Sequence, residues 1–233
     1  MSAHPPRIAR PEDPQSWPCC RPLIIAHDVA RSGDFSTAVV GGLSPFDPPL
    51  IGVIEATELP QKLYGHALAN ALVEVDRRYN SNALILADLT QDASYAEILF
   101  QTFGRRVLGV HISRYGEGQD AEMRLVRGGA VPVYTVGRSF LFDVLRDQFQ
   151  AGQLKLSSGD DVRRAFDQLT KLQLEHRQTG IVYTCQPGQH DDLAISIAML
   201  VWAAQHPYLR YWARALERRV RKPRPKVSWD AWT

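Results

Sequence analysis

The feature that most constrains the fold is residues 23–40, in which an apolar run ends in an acid and a turn follows. Residues 23–26 (LIIA) are apolar and partly β-branched, a pattern typical of a strand buried on both faces. Asp28 closes this run, where a carboxylate is costly unless a charged or polar group meets it. Residues 31–34 (RSGD) predict a tight turn, and residues 35–40 resume as a second strand. The stretch therefore predicts a β-hairpin with an acid at its inner edge.

Two later stretches also place acids at the ends of elements. Residues 83–88 (ALILAD) form an apolar run that closes at Asp88. Residues 189–200 (QHDDLAISIAML) predict a buried helix that opens with Asp191 and Asp192. Carboxylates that share a site raise one another's pKa, and hard cations such as Mg²⁺ or Mn²⁺ relieve that repulsion. Three acid-bearing element ends in one domain therefore predict a metal site for phosphate chemistry.

The length and composition favour one globular domain with extensions. The chain has 233 residues, of which 45% are hydrophobic and 22% charged, enough for one sizeable core. We expect an irregular arm over residues 1–20, a domain over residues 21–205 and a basic helix or tail over residues 206–233. We see no secretory signal and no apolar run long enough for a membrane span. Three cysteines without zinc-like spacing indicate reduced thiols and a cytoplasmic location.

The net charge of +2 conceals an asymmetry. Residues 210–226 contain eight basic residues and one acid, so this segment carries +7 and leaves −5 for the rest of the chain. A mildly acidic body with a basic tail favours a polyanionic partner such as DNA, although a solvated helix end has the same composition. The residues that would contact DNA are Arg214, Arg218, Arg219, Arg221, Lys222, Arg224 and Lys226.

The order of predicted elements indicates an α/β fold with a mixed sheet. Strands at 23–28, 35–40 and 50–56 have links too short for crossover helices, which predicts a three-strand antiparallel meander. Helix 61–79, strand 84–88, helix 95–103 and strand 107–112 then follow as parallel βαβ units. The remaining predictions are a loop or β-excursion at 113–127, helices at 140–150 and 161–176, and short strands at 154–156 and 181–184.

Three motifs taken in order carry a family resemblance: HDVARSGDFSTAVV (27–40), LILADLTQDASYAEIL (84–99) and QHDDLAISIA (189–198). Together they resemble the nuclease domain of phage terminase large subunits, the DNA-packaging enzymes. The resemblance covers residues 21–205 and implies a ribonuclease H-like fold, related to Holliday-junction resolvases, with helices on both faces of the sheet. Because the sequence contains no GxxxxGK[ST] phosphate loop, we expect the nuclease part without the ATPase motor. Such a part is a split subunit, a prophage remnant or an excised domain.

The resemblance implies catalytic and metal-binding roles for particular acids. By position, Asp28 matches the first-strand acid, Asp88 the fourth-strand acid and the pair Asp191 and Asp192 the last motif. We favour Asp192 of that pair because it stands directly before the buried helix. Asp34 matches an additional metal-binding acid in the first hairpin of some members. Each position also has a structural interpretation, since acids favour turns and helix starts.

Other positions near the motifs leave open questions or depart from the family. His190 is either a neighbour of the helix start or a proton shuttle. The family usually follows the fourth-strand acid with a glycine-bearing turn, but here residues 89–92 read LTQD. Many members place another acid three residues after the last motif, where this chain has Ile195.

The sequence therefore predicts a metal-dependent endonuclease that hydrolyses phosphodiester bonds in double-stranded DNA. The resemblance implies two ions, Mg²⁺ or Mn²⁺. It also implies a role in phage or prophage DNA packaging in the host cytoplasm, with a separate ATPase or other packaging subunit as a partner and no membrane. Two alternatives stay open. One is a dimeric, structure-selective resolvase, and the other is a decayed ribonuclease H-like module that only binds DNA or protein.

Overall fold

The structure, a computed structural model, describes residues 23–30, 35–44, 49–79, 82–177, 180–184 and 190–207. The predicted N-terminal arm, the turn that contains Asp34, the three cysteines and residues 208–233 lie outside these ranges. None of the helices in the described residues has the length and hydropathy required to span a bilayer.

Strands and helices alternate through most of the described chain. The strands are β1 (Leu23–Asp28), β2 (Thr37–Leu43), β3 (Ile51–Glu58), β4 (Leu84–Asp88), β5 (Val107–Ser113), β6 (Glu117–Val126), β7 (Gly129–Gly137), β8 (Leu154–Leu156), β9 (Gln173–Arg177) and β10 (Gly180–Thr184). The α-helices are α1 (Gly65–Arg78), α2 (Tyr95–Phe103), α3 (Arg138–Gln150), α4 (Asp160–Thr170) and α5 (Asp192–Gln205).

Eight of these strands form one mixed sheet in the order β6-β7-β5-β4-β1-β2-β3-β8. The strands β1, β2 and β3 pair antiparallel as a meander. The strands β4, β5 and β7 extend the sheet in parallel from the other side of β1. The antiparallel strand β6 closes one edge, the parallel strand β8 closes the other, and β9 and β10 form a separate hairpin. The strand β1 therefore lies between β2 and β4, and the predicted meander followed by parallel strands is confirmed.

Helices cover both faces of the sheet and create two apolar cores. One core packs α3, α4 and α5 against the sheet, and the other packs α1 and α2 against the opposite face. The helix α5 lies in the first core, and its residues from Leu193 to Ala204 are all buried. This burial explains why its sequence is apolar nearly all round, as predicted.

The sheet and α5 meet without an intervening side chain at Gly41 of β2. A Cβ atom added there would lie 2.1 Å from the backbone oxygen of Gly52 and 2.9 Å from Cδ1 of Leu200 on α5. A glycine is therefore required at this position mainly because the backbone of β3 lies so close to it, and the tip of the Leu200 side chain on α5 also packs against it.

Several predicted boundaries need correction. The helix predicted over residues 161–176 ends at Thr170, and residues 173–177 form β9, because they pair with β10. The strand β7 was not predicted. Of the two alternatives for residues 113–127, the β-excursion is correct, since β6 occupies most of this segment. The strands β2 and β3 also begin one or two residues later than predicted and extend further.

Candidate active site

Asp28 and Asp88 lie side by side at one edge of the sheet. The parallel ladder between β1 and β4 pairs His27 with Ala87, so the next residue of each strand reaches the same level. The carboxyl ends of parallel strands are where α/β sheets place ligands. The two carboxyl groups are close enough for each to affect the pKa of the other.

The pKa of Asp28 is raised well above its ordinary value of 3.8. Burial is the largest cause, and the neighbouring charges of Asp88, Asp192 and Asp191 follow in that order. The Arg138 guanidinium acts in the opposite direction. Burial also raises the pKa of Asp88, which is 8% exposed. Without a cation, Asp28 therefore gives up its proton at a higher pH than an exposed aspartate does.

Thr90 holds the Asp88 carboxylate in place. Its backbone N–H donates to Oδ1 of Asp88 at 2.8 Å, and its hydroxyl donates to the same oxygen at 2.5 Å. The hydroxyl oxygen in turn accepts the N–H of Ile112 on β5 at 2.6 Å. Thr90 therefore links the ends of two strands and stabilises the charged form of Asp88.

The first turn of α5 brings Asp191 and Asp192 to the same edge. The Thr37 hydroxyl of β2 bonds Ser196 Oγ at 2.7 Å and donates to the backbone oxygen of Asp192 at 3.3 Å. Gln168 of α4 accepts the N–H groups of Leu193 at 3.1 Å and Ala194 at 3.4 Å, so its amide caps the start of α5. The helix start is thus fixed from two sides.

Arg138, the first residue of α3, contributes a positive charge to this cluster of acids. Its Nη2 group donates to Oδ2 of Asp191, and the two form an ion pair. The guanidinium carbon also lies 5.4 Å from the centre of the Phe142 ring. The side chain of Arg138 remains 33% exposed. Asp191 is therefore already engaged by a cation of the protein itself.

These residues line one open cleft of about 290 Å³. The lining consists of Asp28, Val29, Ala30, Asp88, Thr90, Gln91, Ile112, Arg138, Asp191, Asp192 and Ile195. Four carboxylates against one guanidinium leave the cleft strongly negative. This donor set of hard oxygens fits a divalent cation such as Mg²⁺. As placed, however, no three His, Cys, Asp or Glu side chains of the described residues converge into a ready metal-binding group.

The histidines beside these acids lie outside the cleft lining. His27 is buried, its Nδ1–H donates to the backbone oxygen of Thr37 at 2.7 Å, and burial lowers its pKa to about 4. His27 is therefore a neutral core residue. His190 is exposed, with Nδ1 4.0 Å from Oδ2 of Asp192. Its suggested role as a proton shuttle stays a prediction, as do the roles of Asp34 and the basic tail, which lie outside the described residues.

Arg138, His111 and Gln168 belong to none of the sequence patterns that predicted the site. His111 lies on β5 and lowers the pKa of Asp88 through its charge. Arg138 follows β7, the strand that was not predicted, so no sequence pattern placed it at the ligand-binding edge. The available signal was Gly137 followed by a helix start, which is typical of a strand-to-helix junction.

The eight-stranded mixed sheet with helices on both faces agrees with the ribonuclease H-like fold that the resemblance implies. No protein-family model matches the sequence, and no curated protein sequence matches it. Solved structures do match in three dimensions. The large terminase nuclease from thermophilic phage G20c with bound magnesium is 15% identical, with 77% of this chain and 79% of that chain covered and a TM-score of 0.51. The Thermus phage P74-26 large terminase nuclease domain is 16% identical, with 76% and 77% covered and a TM-score of 0.49.

At this level of identity, the first of these similarities shows the fold. The chain has the fold of a large terminase nuclease domain, as the motif resemblance predicted. The site residues of this chain are assigned on its own geometry.

Proposed function

We propose that this protein is a metal-dependent endonuclease of terminase type that hydrolyses phosphodiester bonds in double-stranded DNA. One observation carries the proposal: Asp28 and Asp88 end adjacent parallel strands and share a cleft with the acids that open α5. The fold of a terminase nuclease with bound magnesium supports the same chemistry. A phage or prophage packaging process, with a separate ATPase subunit as partner, is the biological setting that we infer from this fold.

Asp28, Asp88 and Asp192 would hold the metal, with Asp191 as an additional candidate. The chemistry that two bound Mg²⁺ or Mn²⁺ ions would supply there is activation of a water molecule and stabilisation of the leaving oxygen of the phosphodiester. The protein itself contributes the orientation of the ligands. Thr90 fixes Asp88, and the contacts of Thr37 and Gln168 fix the start of α5. Because the carboxylates do not converge as placed, we expect their side chains to reorient when a cation enters.

Asp192 is the better ligand of the adjacent pair. The carboxylate of Asp191 is engaged by Arg138. Asp192 also raises the pKa of Asp28 more than Asp191 does, so its charge acts more strongly on the centre of the site. Neutralising Asp192 should therefore remove more activity than neutralising Asp191.

The test is incubation with supercoiled plasmid in Mg²⁺ or Mn²⁺, with a chelator control. We expect wild type to produce nicked and then linear DNA only with the cation. Asp28→Asn, Asp88→Asn and Asp192→Asn should abolish cleavage. Asp160→Asn is the matched control, because the Asp160 side chain is 95% exposed and lies on α4, outside the cleft.

The outcomes separate the proposal from its alternatives. Cleavage confined to four-way junctions would support a resolvase. If wild type binds DNA but neither cleaves it nor responds to either cation, the protein is a binding module with a decayed site, and the nuclease assignment is wrong.

A further inference from the structure

The cleft combines a strongly negative lining with a single internal cation. Among its lining residues in the described part of the chain, Arg138 alone is basic, and it faces a cluster of four acids. A DNA strand brings additional negative charge to such a site. Metal ions offset part of this repulsion, but a positive side chain in the cleft also contributes attraction to the phosphate.

The position of Arg138 is defined by the elements around it. The residue opens α3 directly after β7, where the Gly137 N–H donates to the backbone oxygen of Gly116 at 2.7 Å. Its guanidinium lies over the ring of Phe142, one turn further along the helix and only 2% exposed. The charged group is therefore supported by a buried aromatic ring while part of the side chain remains open to solvent.

The chemistry of the guanidinium matches a phosphate as well as a carboxylate. Its planar array of N–H donors binds two acceptor oxygens in a fork, and Arg is favoured where such recognition matters. The bond to Asp191 is made by Nη2. A phosphate oxygen presents the same kind of anionic acceptor as the Asp191 carboxylate and can join or replace it.

We propose that Arg138 binds a backbone phosphate of the DNA strand that enters the cleft. In the absence of DNA, Asp191 is the internal acceptor that holds the guanidinium in position. The inference rests on the proposed function, because it takes DNA as the substrate. It adds a substrate-binding role for Arg138 and a role for Asp191 other than metal ligation.

DNA binding without cleavage gives the direct test. The Asp28→Asn background prevents cleavage, and affinity for a short duplex is measured in Mg²⁺ over a range of salt concentrations. We expect Arg138→Gln to weaken binding about 10-fold and to reduce the salt slope by about one, the change for one lost phosphate contact. Arg138→Lys keeps the positive charge but loses the forked pair of N–H donors. Its DNA affinity should therefore lie between that of the Asp28→Asn background and that of the Arg138→Gln variant.

Arg146→Gln is the matched control on the same helix. Arg146 lies two turns further along α3 and pairs with Asp143 and Asp147 rather than with the acids of the cleft. This variant should bind DNA with the affinity and salt slope of the background protein. Equal weakening by the two substitutions would show a general charge effect and overturn the proposal.

A double variant separates phosphate binding from simple neutralisation of Asp191. If Arg138 binds phosphate, Arg138→Gln combined with Asp191→Asn should bind DNA more weakly than Asp191→Asn alone, by about the same factor as Arg138→Gln weakens the background. If Arg138 only cancels the charge of Asp191, adding Asp191→Asn to Arg138→Gln restores affinity fully. That recovery would overturn the proposal. Thermal melts of each variant verify that it is folded.

Failure of this inference and failure of the proposed function give different results. If the nuclease assignment fails, wild type neither cleaves plasmid nor gains thermal stability from Mn²⁺. If only the role of Arg138 is wrong, wild type cleaves plasmid and is stabilised by Mn²⁺, but the Arg138 variants bind DNA with unchanged affinity and salt slope.

Discussion

At the scale of single residues, the site concentrates charge that opposes folding until a cation is bound. Burial and the charges of Asp88, Asp192 and Asp191 raise the pKa of Asp28. The folded, metal-free protein therefore holds the Asp28 proton more tightly than the unfolded chain. Its free energy of unfolding falls as the pH rises from the ordinary value of 3.8 through the raised pKa.

Asp28→Asn should remove this pH dependence while it abolishes cleavage. In chelator at neutral pH, we expect the variant to melt at or above the temperature of wild type, because one repulsive charge is gone. The difference should shrink as the pH is lowered from neutral toward 3.8, because Asp28 then takes up its proton in the folded protein. Added Mn²⁺ should stabilise wild type by mass action and the variant much less. Thermal melts with chelator and with Mn²⁺, across this pH range, are the measurement.

Asp160→Asn again provides the control, since it removes an exposed acid and should leave the response to Mn²⁺ unchanged. A different result would give Asp28 a structural role. If Asp28→Asn melts several degrees lower than wild type in chelator, and wild type ignores Mn²⁺, then Asp28 acts as a hydrogen-bonding residue of the core.

The sequence alone identifies the acids of this site but not the residues that surround them. Asp28 and Asp88 stand out because each closes an apolar run, and Asp191 and Asp192 because they open a buried helix. Thr90 and Arg138 have no such local pattern. Thr90 bonds Asp88 only two residues away, but its bond to Ile112 of β5 forms only in the folded chain. Arg138 and Asp191 are 53 residues apart in the sequence and likewise meet only in the folded chain.

At the scale of elements, prediction succeeds where burial imposes a pattern. The central strands β1 and β4 and the helix α5 are buried on all sides and have near-continuous apolar sequences. The strand β9 does not follow from its sequence, because Gln, Leu and Glu residues in this segment favour a helix. Pairing with β10 overrides that local preference. The strand β7 contains Pro132 and two terminal glycines, which weaken the strand pattern.

The contact between α5 and the sheet links packing to the site. Gly41→Ala should destabilise the protein by roughly 3 kcal/mol or more, because the added Cβ overlaps the backbone oxygen of Gly52 and the side chain of Leu200. The overlap also displaces α5, which carries Asp192, so stabilisation by Mn²⁺ should decrease. Urea unfolding with and without Mn²⁺ is the measurement.

Gly152→Ala serves as the comparison for this substitution. Nothing lies within 4 Å of a Cβ at Gly152, and its φ of +68° costs an alanine about 1–2 kcal/mol. We therefore expect a smaller loss of stability and a wild-type response to Mn²⁺. A Gly41→Ala protein with the unfolding midpoint of wild type would contradict the close approach of the Gly52 backbone and the Leu200 side chain to Gly41.

At the scale of the whole molecule, charge is divided between the domain and the C-terminal segment. Residues 210–226 carry +7, whereas the rest of the chain carries −5. The cleft lies in the acidic part, where four carboxylates face it. A domain of this charge does not attract DNA at long range, so we expect the basic segment to supply most of the sequence-independent affinity.

Deleting residues 214–233 should therefore weaken binding to duplex DNA and flatten its salt dependence. The deletion removes seven basic residues. The slope of log affinity against log salt concentration should therefore decrease in magnitude, by up to about 6 if all seven residues contact phosphates. A full-length variant with the same seven residues changed to Gln should behave like the deletion, which separates charge from length. Arg138→Gln, in contrast, should change the slope by about one.

The measurement is affinity between about 50 and 200 mM salt in the Asp28→Asn background. If the deletion leaves affinity and slope unchanged over this range, the segment does not bind DNA, and the affinity must come from the domain itself.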